Sequence, residues 1–170
     1  MTNDFNNVDV VAMNGDLVVT SSGQTAHGEY ALPSHVGAFA SINAHYDHRC
    51  VNGDCDPYDH IGYVRVKNHR GEWVELFRYC SPFGIECDDN VDVTDYTSIL
   101  QGLVEFEVYY EIWQSWSFSP ILTFNMQKGT PDYLYSDVQP IWFGTYDFGD
   151  YANQQPVPEM DFDFAENTED

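Results

Sequence analysis

The sequence predicts an all-β protein, a single antiparallel jelly-roll sandwich of about eight strands. Three observations predict it. Short segments alternate apolar and polar residues, turn-forming residues separate these segments, and helical periodicity is nearly absent. Strict alternation places apolar side chains on one face of an extended segment and polar side chains on the other, as half-buried strands require.

The predicted strands follow one another along the chain at short intervals. Turn residues such as Asn, Asp, Gly and Pro interrupt them, and these residues favour the tight backbone geometry of β-turns. The segment 66–73 therefore predicts a hairpin. The clearest alternation lies in 62–67, 72–78, 104–110 and 121–126, and the clearest turns lie in 14–16, 52–54, 69–71 and 128–131.

One short helical turn is expected in the second half of the chain. Asp95 is placed to cap a turn through Thr97 to Leu100, because a carboxylate before a helical segment accepts from its free N–H groups. Gly102 would end that turn.

The 170 residues amount to one domain. Residues 1–24 are predicted as an N-terminal strand or arm, 25–148 as the jelly roll, and 149–170 as an acidic, aromatic C-terminal tail. This extended arm holds Met160, Phe162 and Phe164 among its carboxylates. Two interpretations remain open: a solubilising tail, or an arm whose apolar side chains dock on another subunit.

The charge balance is strongly acidic. Six Lys and Arg residues face 28 Asp and Glu residues, which gives a formal net charge of −22. Such a charge excludes nonspecific binding to nucleic acid or anionic membranes, and no apolar run is long enough to span a membrane. The first ten residues lack the pattern of a signal peptide. Salt adaptation, a divalent cation or a basic partner would each account for the acidity.

The four cysteines form two close pairs. Cys50 and Cys55 enclose one short loop, and Cys80 and Cys87 enclose another. Two local disulfides are predicted, which imply an oxidising, extracellular location. Zinc is the competing interpretation, but neither pair has the C-x2-C spacing of a zinc knuckle.

No cofactor or metal is predicted, although two sets of residues were candidates. Asn52, Asp54 and Asp56 alternate as calcium ligands do, but no Gly and distal Glu follow at the spacing of an EF-hand. His45 and Asp47 would share one face of a strand while His48 points to the other, which weakens a three-ligand site.

The segment 50–60, CVNGDCDPYDH, resembles the C-x4-C-D-x-aromatic-D-R loop of the bacterial peptide-N-glycosidase F family. Further matches follow in the same order, with near-equal spacing, from about residue 25 to residue 140. The resemblance implies the first of that family's two jelly-roll domains. The matching segments are 63–68, 71–73, 91–96, 109–113 and 128–136.

The resemblance also implies site residues. Asp59 matches the family's essential acid, and Glu111 matches a carboxylate deeper in the cleft; both are catalytic candidates. The family's Arg and Trp beside the essential acid are His60 and Tyr58 here, and its second domain supplies another acid. Residues expected to bind glycan are Tyr58, His60, Trp113 and Trp116.

Two functions from different classes are expected. The first is a non-catalytic surface module that binds glycans or glycoproteins, or assembles with other subunits, through its C-terminal arm, into an extracellular or virion structure. The alternative is half of an amidohydrolase that cleaves the Asn–glycan amide bond only with a second-domain partner chain. A copper monooxygenase is disfavoured, because the histidines at 45, 48 and 60 are too few.

Overall fold

The computed structural model describes residues 7–34, 39–133 and 137–140. These residues form ten β-strands and two short 3₁₀ turns. No helix among them has the length and apolar character needed to cross a membrane. The strands are β1 Val8–Asn14, β2 Val19–Thr20, β3 Thr25–Leu32, β4 Phe39–His48, β5 His60–Lys67, β6 Trp73–Ser81, β7 Cys87–Asp92, β8 Gly102–Tyr110, β9 Ser117–Phe118 and β10 Ile121–Lys128.

Eight of these strands form two four-stranded sheets. The first sheet has the order β1-β10-β4-β7 and the second the order β3-β8-β5-β6, and every pairing is antiparallel. The two-residue strands β2 and β9 pair with each other. Neighbours in each sheet are mostly distant in sequence, which is the crossing connectivity of a jelly roll. The predicted fold class is confirmed.

The core lies between the two sheets and follows from the alternation in the sequence. On β4, Ile42, Ala44, Tyr46 and His48 are buried while the residues between them are partly exposed. Phe106 of the second sheet contacts Phe124 of the first, with ring centroids 5.9 Å apart. The inward faces of the two sheets therefore interdigitate, as in other β-sandwiches.

The predicted hairpin at 66–73 is present between β5 and β6. Asn68 closes it: its backbone N–H donates to the Glu72 carbonyl, and its side-chain oxygen accepts from the N–H groups of Arg70 and Glu72. Gly71 has a φ of 79°, a conformation that favours glycine.

The expected helical turn is shorter and begins earlier than predicted. A 3₁₀ turn spans Thr94–Tyr96, and Gly102 begins β8. Asp92, not Asp95, caps the turn, because its Oδ1 accepts from both the N–H and the hydroxyl of Thr94. The same hydroxyl accepts from the N–H of Ile42 and so ties the turn to β4.

A cluster of tyrosine hydroxyls lies inside the sandwich near the end of β8. Tyr46 Oη lies 3.3 Å from Tyr79 Oη and 3.1 Å from Tyr110 Oη, and Tyr79 donates to the carbonyl of Tyr109. Tyr110 Oη lies 3.1 Å from Nδ1 of His48. Burial raises the pKa of all three tyrosines and lowers the pKa of His48, although a hydrogen bond from its ring to Asp89 opposes the latter shift. The cluster is therefore uncharged at neutral pH.

The domain limits at 24, 148 and 149 stay predictions. Within the first segment, β1 is an integral edge strand that pairs with β10. The acidic tail predicted at 149–170 lies outside the described residues, and so does its role as a docking arm.

Candidate functional site

One end of the sandwich carries the loop that precedes β5. It is closed by a disulfide between Cys50 and Cys55, which confirms the first predicted pairing. A 3₁₀ turn spans Val51–Gly53 inside it. The Glu86 carboxylate accepts from the N–H of Cys50 and from the side chain of Arg49, and so anchors the loop to the connection between β6 and β7.

A buried Asp–His pair supports the second half of this loop. Nε2 of His60 lies 2.7 Å from Oδ2 of Asp56, and both side chains are almost wholly buried. The other Asp56 oxygen accepts from the N–H of Tyr58, and the Asp56 carbonyl accepts from Gly84. These contacts fix the backbone so that Tyr58 and Asp59 project into solvent, where both are exposed.

The burial of His60 corrects one expectation. This residue was expected to bind glycan, but it is 1% exposed and has no surface with which to contact a ligand directly. The first residue of β5 points inward because Gly62, Val64 and Val66 continue the same buried face. His60 instead packs edge-on against the ring of Trp113, with centroids 5.1 Å apart.

Trp113 is the large exposed aromatic of this end. Trp113 is 66% exposed, yet its Nε1 donates to Oε1 of Glu111 at 3.0 Å and its ring meets the His60 ring nearly at a right angle. An exposed indole held from two sides is a preorganised stacking surface. The negative charge of Glu111 adds to burial in raising the pKa of Tyr109.

The two candidate carboxylates lie at the same end of the second sheet. The backbone N–H of Glu111 donates to the carbonyl of Ile61, and Ile61 follows Asp59 by two residues. The antiparallel pairing of β5 with β8 continues in this direction from Gly62 and Tyr110. Asp59, Glu111 and Trp113 therefore share one rim, with Tyr58 beside them.

Trp116 is placed differently from Trp113. It is half-buried and packs against the core, whereas Trp113 is exposed. It lines a groove of about 430 Å³ together with Asp54, Gln114 and Ser115. This groove extends the rim past the disulfide loop.

The second predicted disulfide is absent, since Cys80 and Cys87 are free thiols. Cys80 lies on the exposed face of β6, whereas Cys87 begins β7 in the other sheet and lies on its inner face. Sequence separation alone could not show that the two side chains point to opposite sides. Burial, with the charges of Asp89 and Asp88 next, raises the pKa of the Cys87 thiol to about 11.

The calcium candidates are split by the fold. Asp56 is turned inward against His60, whereas Asn52 and Asp54 are exposed. His45 and Asp47 do share the outer face of β4, and His48 points inward. Sequence reasoning missed what His48 meets there: Asp89 and Cys87, which only the register of β4 with β7 brings together.

The fold and this rim define a β-sandwich domain that presents an aromatic ring beside carboxylates at one end. No family model matches the chain. The chain is 34% identical over 124 residues to peptide-N(4)-(N-acetyl-beta-D-glucosaminyl)asparagine amidase F of Elizabethkingia miricola, which covers 69% of this chain and 35% of that protein. The resemblance to the peptide-N-glycosidase F family is thereby confirmed in sequence.

Solved structures confirm the resemblance in fold. PNGase F, a glycosylasparaginase from Flavobacterium meningosepticum, superposes with a TM-score of 0.69 and 29% identity, over 77% of this chain and 45% of that chain. PNGF-II superposes with a TM-score of 0.56 at 12% identity, over 74% of this chain and 35% of that chain, which concerns the fold alone. The chain thus spans less than half the length of these relatives.

Proposed function

We propose that this domain is a glycan-binding module that recognises the sugar–asparagine region of N-linked glycoproteins. The observation that carries the proposal is Trp113, exposed to solvent but fixed by Glu111 and His60. The relative from Elizabethkingia miricola is an asparagine amidase whose substrate, by name, joins N-acetylglucosamine to asparagine. Similarity to them supports this substrate class.

The chemistry of the rim fits a sugar. The C–H face of a pyranose packs on a flat aromatic ring, and its hydroxyls donate to carboxylates. Trp113 supplies the ring, Tyr58 a second exposed aromatic, and Asp59 and Glu111 the acceptors. Trp116 would extend the contact along the groove beside Asp54.

The proposed activity is binding without catalysis. Asp59 is exposed and stands on an open rim, so water surrounds it. Catalytic carboxylates act in enclosed sites, where excluded water strengthens their electrostatic effect on the reacting bond. Among the described residues, this rim presents acceptors for a ligand but no enclosure for a reaction.

The binding test compares three variants of the full chain against an N-glycopeptide and the same peptide without sugar, by isothermal titration calorimetry. Trp113→Ala is expected to weaken glycopeptide binding at least about tenfold, the scale of one lost aromatic stacking contact. Asp59→Asn should weaken it less. Leu103→Ala, an exposed residue at the opposite end of β8, is the matched control and should bind normally. Equal affinity of wild type and Trp113→Ala would exclude this rim.

The shared position of Asp59 and Glu111 favours a second function. In it, this chain is half of an asparagine–glycan amidase, and a partner chain supplies the second domain. One carboxylate would activate water while the other holds the leaving group. Glycopeptide hydrolysis by the copurified complex, abolished in Asp59→Asn with binding retained, would support it. Hydrolysis unaffected by Asp59→Asn would exclude it.

Location and assembly belong to the same proposal. The Cys50–Cys55 disulfide supports an oxidising, extracellular location. Assembly into a larger extracellular or virion structure through the C-terminal arm stays a prediction. Native mass spectrometry tests it, because a homo-oligomer or a one-to-one heterodimer would distinguish assembly from the split amidase.

A further inference from the structure

We propose that His48, Cys87 and Asp89 form a zinc-binding site at the edge of the first sheet, with the fourth coordination position open to water. A ring nitrogen of His48, Sγ of Cys87 and a carboxylate oxygen of Asp89 all lie within 4.8 Å of one another. Within the described ranges, these three residues form the metal-ligand cluster of the molecule. None of its three ligands is a residue of the glycan rim.

Strand register builds this cluster. His48 is the last residue of β4 and pairs directly with Cys87, the first residue of β7. Asp89 lies two residues further along β7, so its side chain shares the face of Cys87. Two paired strands therefore supply all three ligands, and their hydrogen-bonded backbones hold the ligands at fixed positions.

The three ligand atoms lie near enough to one another to hold a single zinc ion. Zinc binds His nitrogen and carboxylate oxygen at about 2.0–2.2 Å and thiolate at about 2.3 Å, so its ligands stand roughly 3.3–3.8 Å apart. His48 Nε2 and Asp89 Oδ2 are already 3.0 Å apart. Cys87 Sγ lies within 4.8 Å of a ligand atom of each residue, so small movements of the three side chains would bring the ligand atoms to zinc-binding separations. The thiol proton leaves to solvent when the metal binds, since a coordinating thiol is deprotonated.

The far side of the His48 ring is supported for either tautomer. Without metal, Nε2–H donates to Asp89 and Nδ1 accepts from the Tyr110 hydroxyl, at 3.0 and 3.1 Å. With metal on Nε2, Nδ1–H would donate to Tyr110. Tyr110 would then donate to Tyr46, Tyr46 to Tyr79, and Tyr79 to the carbonyl of Tyr109. Each hydroxyl keeps one proton, so the switch leaves no buried donor or acceptor unpaired.

The site has both a buried floor and an open side. The His48 side chain is 1% exposed, whereas the Asp89 side chain is 47% exposed on an edge strand. A metal ion can enter past Asp89, and water can take the fourth position, as in zinc sites with three protein ligands. An imidazole and a thiolate select zinc over calcium or magnesium, which prefer oxygen ligands.

The test uses the untagged full chain, stripped with a chelator and titrated with zinc chloride in excess calcium. Calcium occupies the many exposed carboxylates. If one zinc ion per chain still binds in excess calcium, the titration reports a specific site. Cobalt chloride is the spectroscopic probe: a thiolate-to-cobalt charge-transfer band is expected for a Cys87 ligand. Cys87→Ser should remove this band and weaken zinc by more than about tenfold, and Asp89→Asn should weaken zinc.

Two matched controls decide which residues carry the effect. Cys80→Ser removes the other free thiol, and Asp88→Asn removes the neighbouring exposed carboxylate; both should bind zinc as wild type does. In the unmodified chain, zinc should protect Cys87 but not Cys80 from alkylation, a readout that needs no variant to fold. Three results would overturn the proposal. They are loss of zinc binding in excess calcium, a cobalt charge-transfer band that persists in Cys87→Ser, and protection of Cys80 in place of Cys87.

Discussion

At the scale of single residues, the rim depends on a pair that is itself hidden. Asp56 and His60 are buried side by side, and His60 in turn contacts the ring of Trp113. The pair therefore connects the folding of the disulfide-closed loop to the orientation of an exposed ring. His60 was expected to bind glycan beside Asp59, but it lies on the inward face of β5 and is therefore buried.

Asp56→Ala is expected to destabilise the protein by about 3 kcal/mol, because it leaves His60 buried without its partner. It also removes the acceptor for the N–H of Tyr58. Urea denaturation followed by circular dichroism measures the loss. Asp59→Ala, three residues away and exposed, is the control and should change stability by less than about 0.5 kcal/mol. Similar losses in both variants would contradict a structural role for the buried pair.

At the scale of elements, loops tie strands of different sheets together. The disulfide loop before β5 is one such connection, and the 3₁₀ turn after β7 is another. Each is fixed by a few named contacts, so each gives a prediction that can be tested without disturbing the core.

The cysteine arrangement predicts the covalent state of the chain. The intact mass under non-reducing conditions should be two protons below the fully reduced value, and alkylation of the zinc-free chain without reductant should label Cys80 and Cys87 only. Replacing both Cys50 and Cys55 with Ser should cost about 2 kcal/mol, the entropy of closing so short a loop. Cys80→Ser is the control and should cost little. A mass four protons low would instead establish the second disulfide.

The turn after β7 predicts an acid-dependent stability. Hydrogen bonds from the hydroxyl and N–H of Thr94 lower the pKa of Asp92. A carboxylate with a lowered folded pKa stabilises the protein above its unfolded pKa of about 3.9, and this contribution is lost as the pH falls through the folded value. Asp92 is largely exposed, so solvent screening limits the gain to about 0.5 kcal/mol.

Asp92→Asn should therefore be less stable than wild type at pH 7, and the difference should shrink as the pH falls below about 4. Urea midpoints measured across this range test it. Asp95→Asn removes a carboxylate of the same turn that makes no capping bond to Thr94, and so controls for the change in net charge. A difference that is constant with pH would argue against the cap.

The sequence predicted the elements better than their arrangement. Alternation in 62–67 and 104–110 and the turn at Gly71 located β5, β8 and the hairpin, because these signals are local. The sheet order was not predictable in the same way, since β1 pairs with β10 across more than a hundred residues. The same limit explains the sites: Asp59 and Glu111 were found through a family resemblance, whereas the meeting of His48 with Cys87 depends on register.

At the scale of the whole molecule, charge is the dominant feature. Several ion pairs join basic residues to carboxylates among the described residues: Arg49 with Glu86, Arg65 with Glu107, Lys67 with Glu105, Arg70 with Asp137, and Arg78 with Glu75. With 28 acidic residues in the chain, most carboxylates cannot find a cation. The folded state therefore concentrates negative charge, and self-repulsion opposes folding.

Salt should consequently stabilise this protein. Raising sodium chloride from about 0.01 to 1 M shortens the screening length from about 30 to 3 Å, which weakens both the repulsion and the few ion pairs. Repulsion outweighs attraction here, so Tm at pH 7 should rise by several degrees, equivalent to about 1–2 kcal/mol.

The same salt series at a lower pH is the control for this prediction. Near the sequence pI of about 4.1 the net charge approaches zero, and the salt dependence should flatten. A Tm that falls with salt at pH 7 would mean that the ion pairs, not the excess charge, govern the stability of the fold. A rise that persists unchanged near pH 4 would instead trace the effect to the general exclusion of salt from protein surface, because that effect does not depend on net charge.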